Sequence, residues 1–259
     1  MRLQCKVFHV PKDGNSSGEY EDAFLGSTHG IASLPHCCVV ADGATESAFS
    51  RLWARLLVRA FYENAMQAFS ETPSTNNDDW KLVLNDCRRK WFDQVNILEL
   101  PWYAEEKVRK GAYATILGIC FRPIGKYGQW KAVAVGDCNL FHIRNNECIR
   151  SFPIQHSSEF CSCPNLISSR SLLNEYLPIQ YNRGRFKCGD SFYLMTDAIA
   201  QWFLKCCEAP DQQATVIREV DSIEHSNFTS WISTLRDSKQ MLNDDVTLMR
   251  VNFWSEILL

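Results

Sequence analysis

The stretch "CCVVADGATESAFSRLW", Cys37 to Trp53, decides the fold because its period changes at a single acid. Cys37 to Ala41 is apolar without alternation, the pattern of a strand covered on both faces and therefore central in its sheet. Asp42-Gly43-Ala44 is turn chemistry. Beyond it Phe49, Leu52, Trp53, Leu56, Leu57, Ala60 and Phe61 recur at three- and four-residue steps. That spacing predicts one apolar face of a long helix, opening near Thr45 or Ser47.

Toward the N-terminus, Cys5 to Val10 reads as a strand, and "KDGNSSGEY" is turn chemistry leading to a short strand around Ala23 to Leu25. Toward the C-terminus, "SETPSTNND" breaks the first helix. Trp80, Val83, Leu84, Cys87, Trp91 and Phe92 then mark a second one, and two successive helices suggest one packed layer. From Ala112 the period becomes that of strands: "AYATILGICF", "QWKAVAVGD" and "NLFHIRN", an antiparallel meander parted at Gly125 to Gly128 and at Gly136-Asp137. His156 to Ser171 is polar and irregular, a surface loop and a candidate lid. "SFYLMTDAIAQWFL" is strand then helix, helical segments continue through Leu235, and "DDVTLMRVNF" closes with a strand. No repeat or linker divides the chain, which predicts a single domain over residues 1–259 of the α+β class.

With 259 residues, 46% of them hydrophobic, the chain can bury a full core. A formal net charge of −3 argues against a nucleic-acid partner. No apolar run approaches the roughly 20 residues of a membrane span, and the opening "MRLQCKVFHVPKD" lacks a signal-peptide core. The expectation is a cytoplasmic monomer with no membrane partner. Twelve cysteines are then read as free, mostly buried thiols. The close pairs Cys37-Cys38, Cys161-x-Cys163 and Cys206-Cys207 lack zinc-site spacing, and adjacent strand residues point to opposite faces.

Five places set a carboxylate beside an apolar run: Glu21-Asp22, Asp42, Asp137, Asp197 and Asp244-Asp245. Each alone is a turn former or helix cap. Together they mean more, because strand ends along one sheet edge converge and clustered carboxylates repel unless cations join them. Oxygen-only ligands select Mg²⁺ or Mn²⁺ over zinc, and since Mg²⁺ takes one or two carboxylates per ion, this many acids suit two or three ions. Two such ions about 4 Å apart, sharing a carboxylate and a bridging hydroxide, form a centre for in-line attack on phosphorus. Phosphoester hydrolysis is the chemistry implied, with no nucleophilic side chain.

The order of these acids resembles the metal-dependent protein phosphatases of the protein phosphatase 2C family, bacterial type. "YEDAF", "VVADGA", "GAYATI", "AVGD", "LMTDAI" and "NDDVTL" look like its blocks in sequence order. The resemblance implies a four-layer α-β-β-α sandwich, two mainly antiparallel sheets with helices on both outer faces and metals in a cleft at one end. It implies that Glu21 and Asp42 hold one metal, with Asp42 bridging and Gly43 offering its carbonyl, that Asp197 and Asp244 hold the other, and that Asp22, Asp137 and Asp197 match a third, weaker site. Asp42 and Asp197 are the residues on which catalysis is expected to depend. The substrate implied is a phosphoserine or phosphothreonine protein.

The chain departs from the family at four places. Ser17 stands where the family has a phosphate-binding Arg, Ala44 where eukaryotic members have a His, Cys138-Asn139 where Ser-Arg is usual, and Ala198 where Gly is. Arg51, Arg55 and Arg170 are candidate replacements for the Arg, and His156 is a candidate acid only by its place in the loop. Two alternatives stand beside the protein phosphatase: a small-molecule phosphoester hydrolase with the same metal centre, and a catalytically weak relative that binds phosphoproteins.

Overall fold

The change of period after Asp42 corresponds, in a computed structural model, to a strand handing over to a helix. The structure describes residues 1–28, 30–68, 77–161, 163–170 and 177–255. The first half comprises β1 (Arg2–Val10), β2 (Ala23–Leu25), β3 (Ala32–Ser33), β4 (His36–Ala41), α1 (Ser50–Ala68), α2 (Asn77–Asn96), α3 (Trp102–Lys110) and β5 (Tyr113–Ala114). There follow β6 (Ile116–Ile124), β7 (Tyr127–Val135), β8 (Asn139–Arg144), β9 (Glu147–Phe152), β10 (Ile167–Ser168), β11 (Gln180–Phe186) and β12 (Ser191–Met195). The chain closes with α4 (Asp197–Glu208), α5 (Gln213–Ser222), α6 (His225–Asp237) and β13 (Val246–Trp254).

Two sheets carry the fold: a six-stranded one ordered β3-β1-β13-β12-β8-β9 and a five-stranded one ordered β11-β7-β6-β4-β2, with every pairing antiparallel. Strand alternation explains how they stack. On β4, Cys38 and Val40 join Leu117, Phe121, Phe192 and Met249 between the sheets, whereas Cys37, Val39 and Ala41 face Trp53, Leu57 and Trp91 of α1 and α2. On the other sheet, Phe141, Tyr193 and Leu248 face outward against Ile199, Phe203, Ile217 and Ile232 of α4 to α6. Three apolar interlayers therefore separate four layers, α-β-β-α, and β4 is apolar throughout because it is covered on both sides. Among the described residues, no helix is long and apolar enough to cross a membrane.

Several expectations are corrected. The helix after Asp42 begins at Ser50, because Phe49 holds a positive φ of 57° and delays the first turn. On α2, Leu84, Cys87 and Trp91 are buried, but Phe92 is 47% exposed and lies off the packed face. The Trp80 side chain and residues 70–76 of the breaking segment lie outside the described residues, and its last two residues, Asn77 and Asp78, already belong to α2. The expected meander is a hairpin followed by a crossover: β6 and β7 pair in one sheet, and at Gly136 the chain passes to β8 in the other. Gly136 permits this with a φ of 98°, and a Cβ there would meet the Thr115 side chain at 2.5 Å. The cysteines are not all free. Cys37 and Cys120 sit directly opposite on β4 and β6 with Cα atoms 4.1 Å apart, and they form a disulfide.

The candidate lid is anchored where it is described. Ser157 donates to Glu208 through both its N–H and its hydroxyl. At the far end β10 pairs with β5, Trp53 Nε1 donates to Ile167 O at 2.8 Å, and Ser169 N donates to Ala112 O. Ser162 and Ser171 lie outside the described residues.

Away from the acids, Asp190 in the turn before β12 locks that turn to β8. Arg144 grips both carboxylate oxygens at 2.7–2.8 Å, His142 Nε2 lies 2.9 Å from Oδ2, and Lys187 N donates at 3.0 Å. Burial alone would raise this carboxyl, but the Arg144 and His142 contacts outweigh it and hold the pKa well below the usual carboxylate range. A depressed pKa stabilises the fold above the unfolded carboxylate pKa, and that contribution is lost as pH falls below about 4. Asp190→Asn is expected to cost about 2–3 kcal/mol in chemical denaturation at neutral pH. A change under about 0.5 kcal/mol there would contradict this assignment.

Candidate active site

Register brings the acids together. In the five-stranded sheet, β2 pairs with β4 as Ala23↔Ala41, so Asp22 and Asp42 flank one end of that ladder. β6 pairs with β7 as Ile116↔Val135, so Thr115 and the Gly136-Asp137 turn lie at the same end. In the six-stranded sheet, Met195↔Leu248 and Val10↔Val246 set Asp197, Asp244 and Asp245 at its corresponding end. The crossover at Gly136 to Cys138 joins the two sheets there, so one end of the sandwich carries all of the candidate acids.

The electrostatics follow from that placement. Asp42 is raised well above its ordinary pKa, first by desolvation and then by Asp22, Asp197, Asp137 and Asp244. Asp197 is pushed up to about 7 by burial and by Asp137 and Asp244. Asp137 rises to about 6, mainly through burial, with Asp244 adding. Desolvation also raises Asp22 well above its ordinary value; Asp245 and Asp197 add to that, while Thr247, whose hydroxyl donates to Asp22 Oδ2 at 2.6 Å, opposes it. Asp22, Asp42, Asp137, Asp197 and Asp244 thus form one mutually repelling group. Glu21 has partners of its own: the Ser50 hydroxyl donates to Oε1, and Lys12 Nζ lies 4.0 Å from Oε2.

Asp245, read from sequence as one of the clustered acids, has a supporting role, and the supporting roles of Thr115, Thr196 and Thr247 were not read from sequence. Asp245 spends its carboxylate on backbone, accepting from Lys12 N at 2.8 Å and Glu21 N at 2.6 Å, and so ties the first acidic segment to the last. Thr115 Oγ1 accepts from Asp42 N at 3.2 Å, and Thr115 N donates to Asp42 O at 2.9 Å. The Thr196 hydroxyl accepts from Thr247 N at 2.9 Å beside Asp197. The sequence signal for Thr196 and Thr247 is a Thr near an Asp, in "LMTD" and "DDVT", while Thr115 lies in "GAYATI". Asp197 opens α4, where the helix N-terminus favours a carboxylate, and its Oδ1 accepts from Ala198 N at 2.6 Å. Gly43 forms a β-bridge with Ala114, and a Cβ there would lie 2.8 Å from the Glu21 carbonyl oxygen. Close backbone approach is its structural reason for being glycine.

The candidate cations and acid divide. Arg51 reaches back to the Gly18 carbonyl, next to Ser17. Arg170 is committed to the Val108 carbonyl at the end of α3 at 3.1 Å. Burial and the neighbouring Arg51 lower Arg55. Lys12, not singled out from sequence, donates to Thr45 Oγ1 at 3.0 Å just beyond the Asp42 turn. The His156 side chain is 72% exposed and lies 3.5 Å from Glu208, as a surface histidine does.

Among the described residues, no three His, Cys, Asp or Glu side chains are drawn together as a closed metal cage. The acids nonetheless fit divalent cations by their chemistry. Every donor is a carboxylate or backbone carbonyl oxygen, the hard ligand type of Mg²⁺ and Mn²⁺, and buried Asp22 Oδ1 and Asp137 Oδ1 have no hydrogen-bond partner. Uncompensated carboxylates at such proximity are costly, and cations are what relieve them.

The family model described as Protein phosphatase 2C matches residues 17–245. No curated protein matches in sequence. Among solved structures, the photosystem II phosphatase PBCP is 18% identical with a TM-score of 0.57, over 96% of this chain and 98% of its own. The Mycobacterium tuberculosis serine/threonine phosphatase PstP/Ppp is 12% identical, TM-score 0.58, over 98% and 100%. The catalytic domain of PstP in complex with two manganese ions is 13% identical, TM-score 0.60, over 98% and 99%. At these identities the likeness is one of fold.

Proposed function

From the premise that this chain belongs to the protein phosphatase 2C family, the serine/threonine protein phosphatases, we propose that it hydrolyses phosphoserine and phosphothreonine in proteins with two or three Mn²⁺ or Mg²⁺ ions. The observation that carries this reading is the mutual repulsion of Asp22, Asp42, Asp137, Asp197 and Asp244 at one end of the sandwich. A structural neighbour solved with two manganese ions supports the choice of metal. When bound, a pair of divalent cations would supply acidity to the attacking water and positive charge to the phosphoryl oxygens.

In this reading Glu21 and Asp42, with the Gly43 carbonyl, would hold one cation, Asp197 and Asp244 would hold the other, and Asp22, Asp137 and Asp197 would serve a third. Thr115 fixes the Asp42 backbone, and Asp245 fixes the Glu21 backbone. Lys12 and Arg51 are the cations next to the acidic segments, suited to a phosphate dianion where Ser17 offers no charge. Ala44 has no proton to give to the leaving alkoxide. The protein acts as a cytoplasmic monomer, one catalytic unit over residues 1–259, without a nucleic-acid or membrane partner.

With Mn²⁺ or Mg²⁺ the protein is expected to hydrolyse p-nitrophenyl phosphate and a phosphothreonine peptide, and EDTA is expected to abolish both. No turnover at saturating metal would sink the enzyme reading in favour of a phosphoprotein-binding relative. Turnover of the small ester with an inert peptide would favour the small-molecule hydrolase.

A further inference from the structure

A cavity of about 510 Å³ opens between α4, the Ser157 segment and the loop from α6 to β13. It adjoins the acids through sequence: Gln201 in its wall is one helical turn beyond Asp197, and Asn243 immediately precedes Asp244. Its chemistry is opposite to theirs. Lys205 and Lys239 line it, both exposed, and among the described residues neither has an acidic partner. Trp202, also in the wall, is 4% exposed, yet its indole N–H meets no acceptor. An indole N–H can only donate, so an oxygen acceptor that reaches this part of the wall would satisfy it. Met241 and the 65% exposed Leu242 add an apolar side.

We propose that this cavity is a docking subsite for an acidic, apolar segment of the polypeptide substrate, next to the phosphorylated residue; the proposal rests on the protein phosphatase reading above. Glu or Asp side chains of the segment meet Lys205 and Lys239, a carbonyl or carboxylate oxygen accepts from Trp202, and an apolar side chain covers Met241 and Leu242. The volume lies within the range of peptide and small-ligand sites. Charge complementarity then sets specificity, since a basic segment would oppose two ammonium groups. The subsite selects among substrates that all carry the same phosphoryl group.

The test reads binding without turnover: fluorescence anisotropy of a short fluorescein-labelled, unphosphorylated peptide alternating Glu and Leu, against its Lys and Leu counterpart. The whole chain carries −3, so non-specific attraction would favour the Lys peptide. Wild type is expected to bind the Glu peptide at least about tenfold more tightly. The Lys205→Glu/Lys239→Glu variant is expected to invert that preference. Trp202→Phe keeps a ring but removes the donor, and is expected to weaken Glu-peptide binding about threefold. Equal affinity for the two peptides, or a double variant that keeps the wild-type preference, would overturn the proposal. Melting temperatures check folding, and Lys205→Gln/Lys239→Gln, expected to abolish the preference, replaces any variant that fails to fold. Because no phosphate is transferred, an inactive protein that still reads peptide charge refutes only the phosphatase reading. An active one indifferent to charge refutes only the docking site.

Discussion

Asp42→Asn is expected to lower metal-dependent turnover of p-nitrophenyl phosphate by about 10²- to 10³-fold, the scale on which removing one charge-stabilising group acts at a reacting centre. Asn keeps the shape of the side chain, and the backbone bonds to Thr115 do not involve the carboxylate, so the turn survives. What disappears is the charge that the reading sets between two cations. The same change relieves repulsion, because Asp42 is raised by burial and by four other aspartates, and a neutral amide carries no such penalty. In EDTA the variant is therefore expected to melt several degrees above wild type, at roughly 2–4 °C per kcal/mol for a chain near this size. Loss of activity together with gain of metal-free stability distinguishes a cation-binding acid from a turn former, whose loss would destabilise. Retention of activity within about tenfold would make Asp42 a turn residue after all.

The strands and helices were legible because each rests on local periodicity, whereas their stacking into four layers came from the family resemblance. Two-sided burial wrote β4 as an unbroken apolar run, and one-sided burial wrote α1 as a three-and-four repeat. The acids were legible as a set because strands of a sandwich end together, so an Asp after one apolar run and before another meet in space. Long-range partnerships were not legible. Asp245 serves Lys12 and Glu21 across more than two hundred residues, and sequence gave no reason to separate its role from that of Asp244. Cys37 meets Cys120 through a register that no spacing of 83 residues reveals. The step from β7 to β8 lies between sheets because Gly136 turns there, while its flanking strands read the same as those of a hairpin. The short helix α3, "WYAEEKVRK", gave no apolar stripe because its surface is largely solvated, with Trp102 77% exposed. Lys12 was passed over because it lies in turn chemistry, where a lysine is ordinarily just solvated.

Stability should respond to pH and metal in opposite directions. In EDTA, Asp137 and Asp197 titrate near 6 and 7 in the folded chain, against about 3.9 for an unfolded aspartate. Between those values the folded state holds more protons than the unfolded one, so stability falls as pH rises through the window from about 4 to 7. The loss comes to several kcal/mol if both shifts act in full. Asp190 contributes the reverse dependence, but below about pH 4, outside that window. The metal-free protein is therefore expected to melt highest near pH 4, and several degrees lower at pH 8 than at pH 5. Cations need the ionised carboxylates, and a ligand that binds only the folded state stabilises it in proportion to the logarithm of its concentration over its Kd. Saturating Mn²⁺ is thus expected to raise the melting temperature little at pH 5 and most at pH 8, where its ligands are already deprotonated. Scanning calorimetry at both pH values, with EDTA and with Mn²⁺, measures all four states. A melting temperature in EDTA that is flat or rises from pH 5 to 8 would contradict the clustering of these acids. An increment from Mn²⁺ no larger at pH 8 than at pH 5 would contradict their role as its ligands.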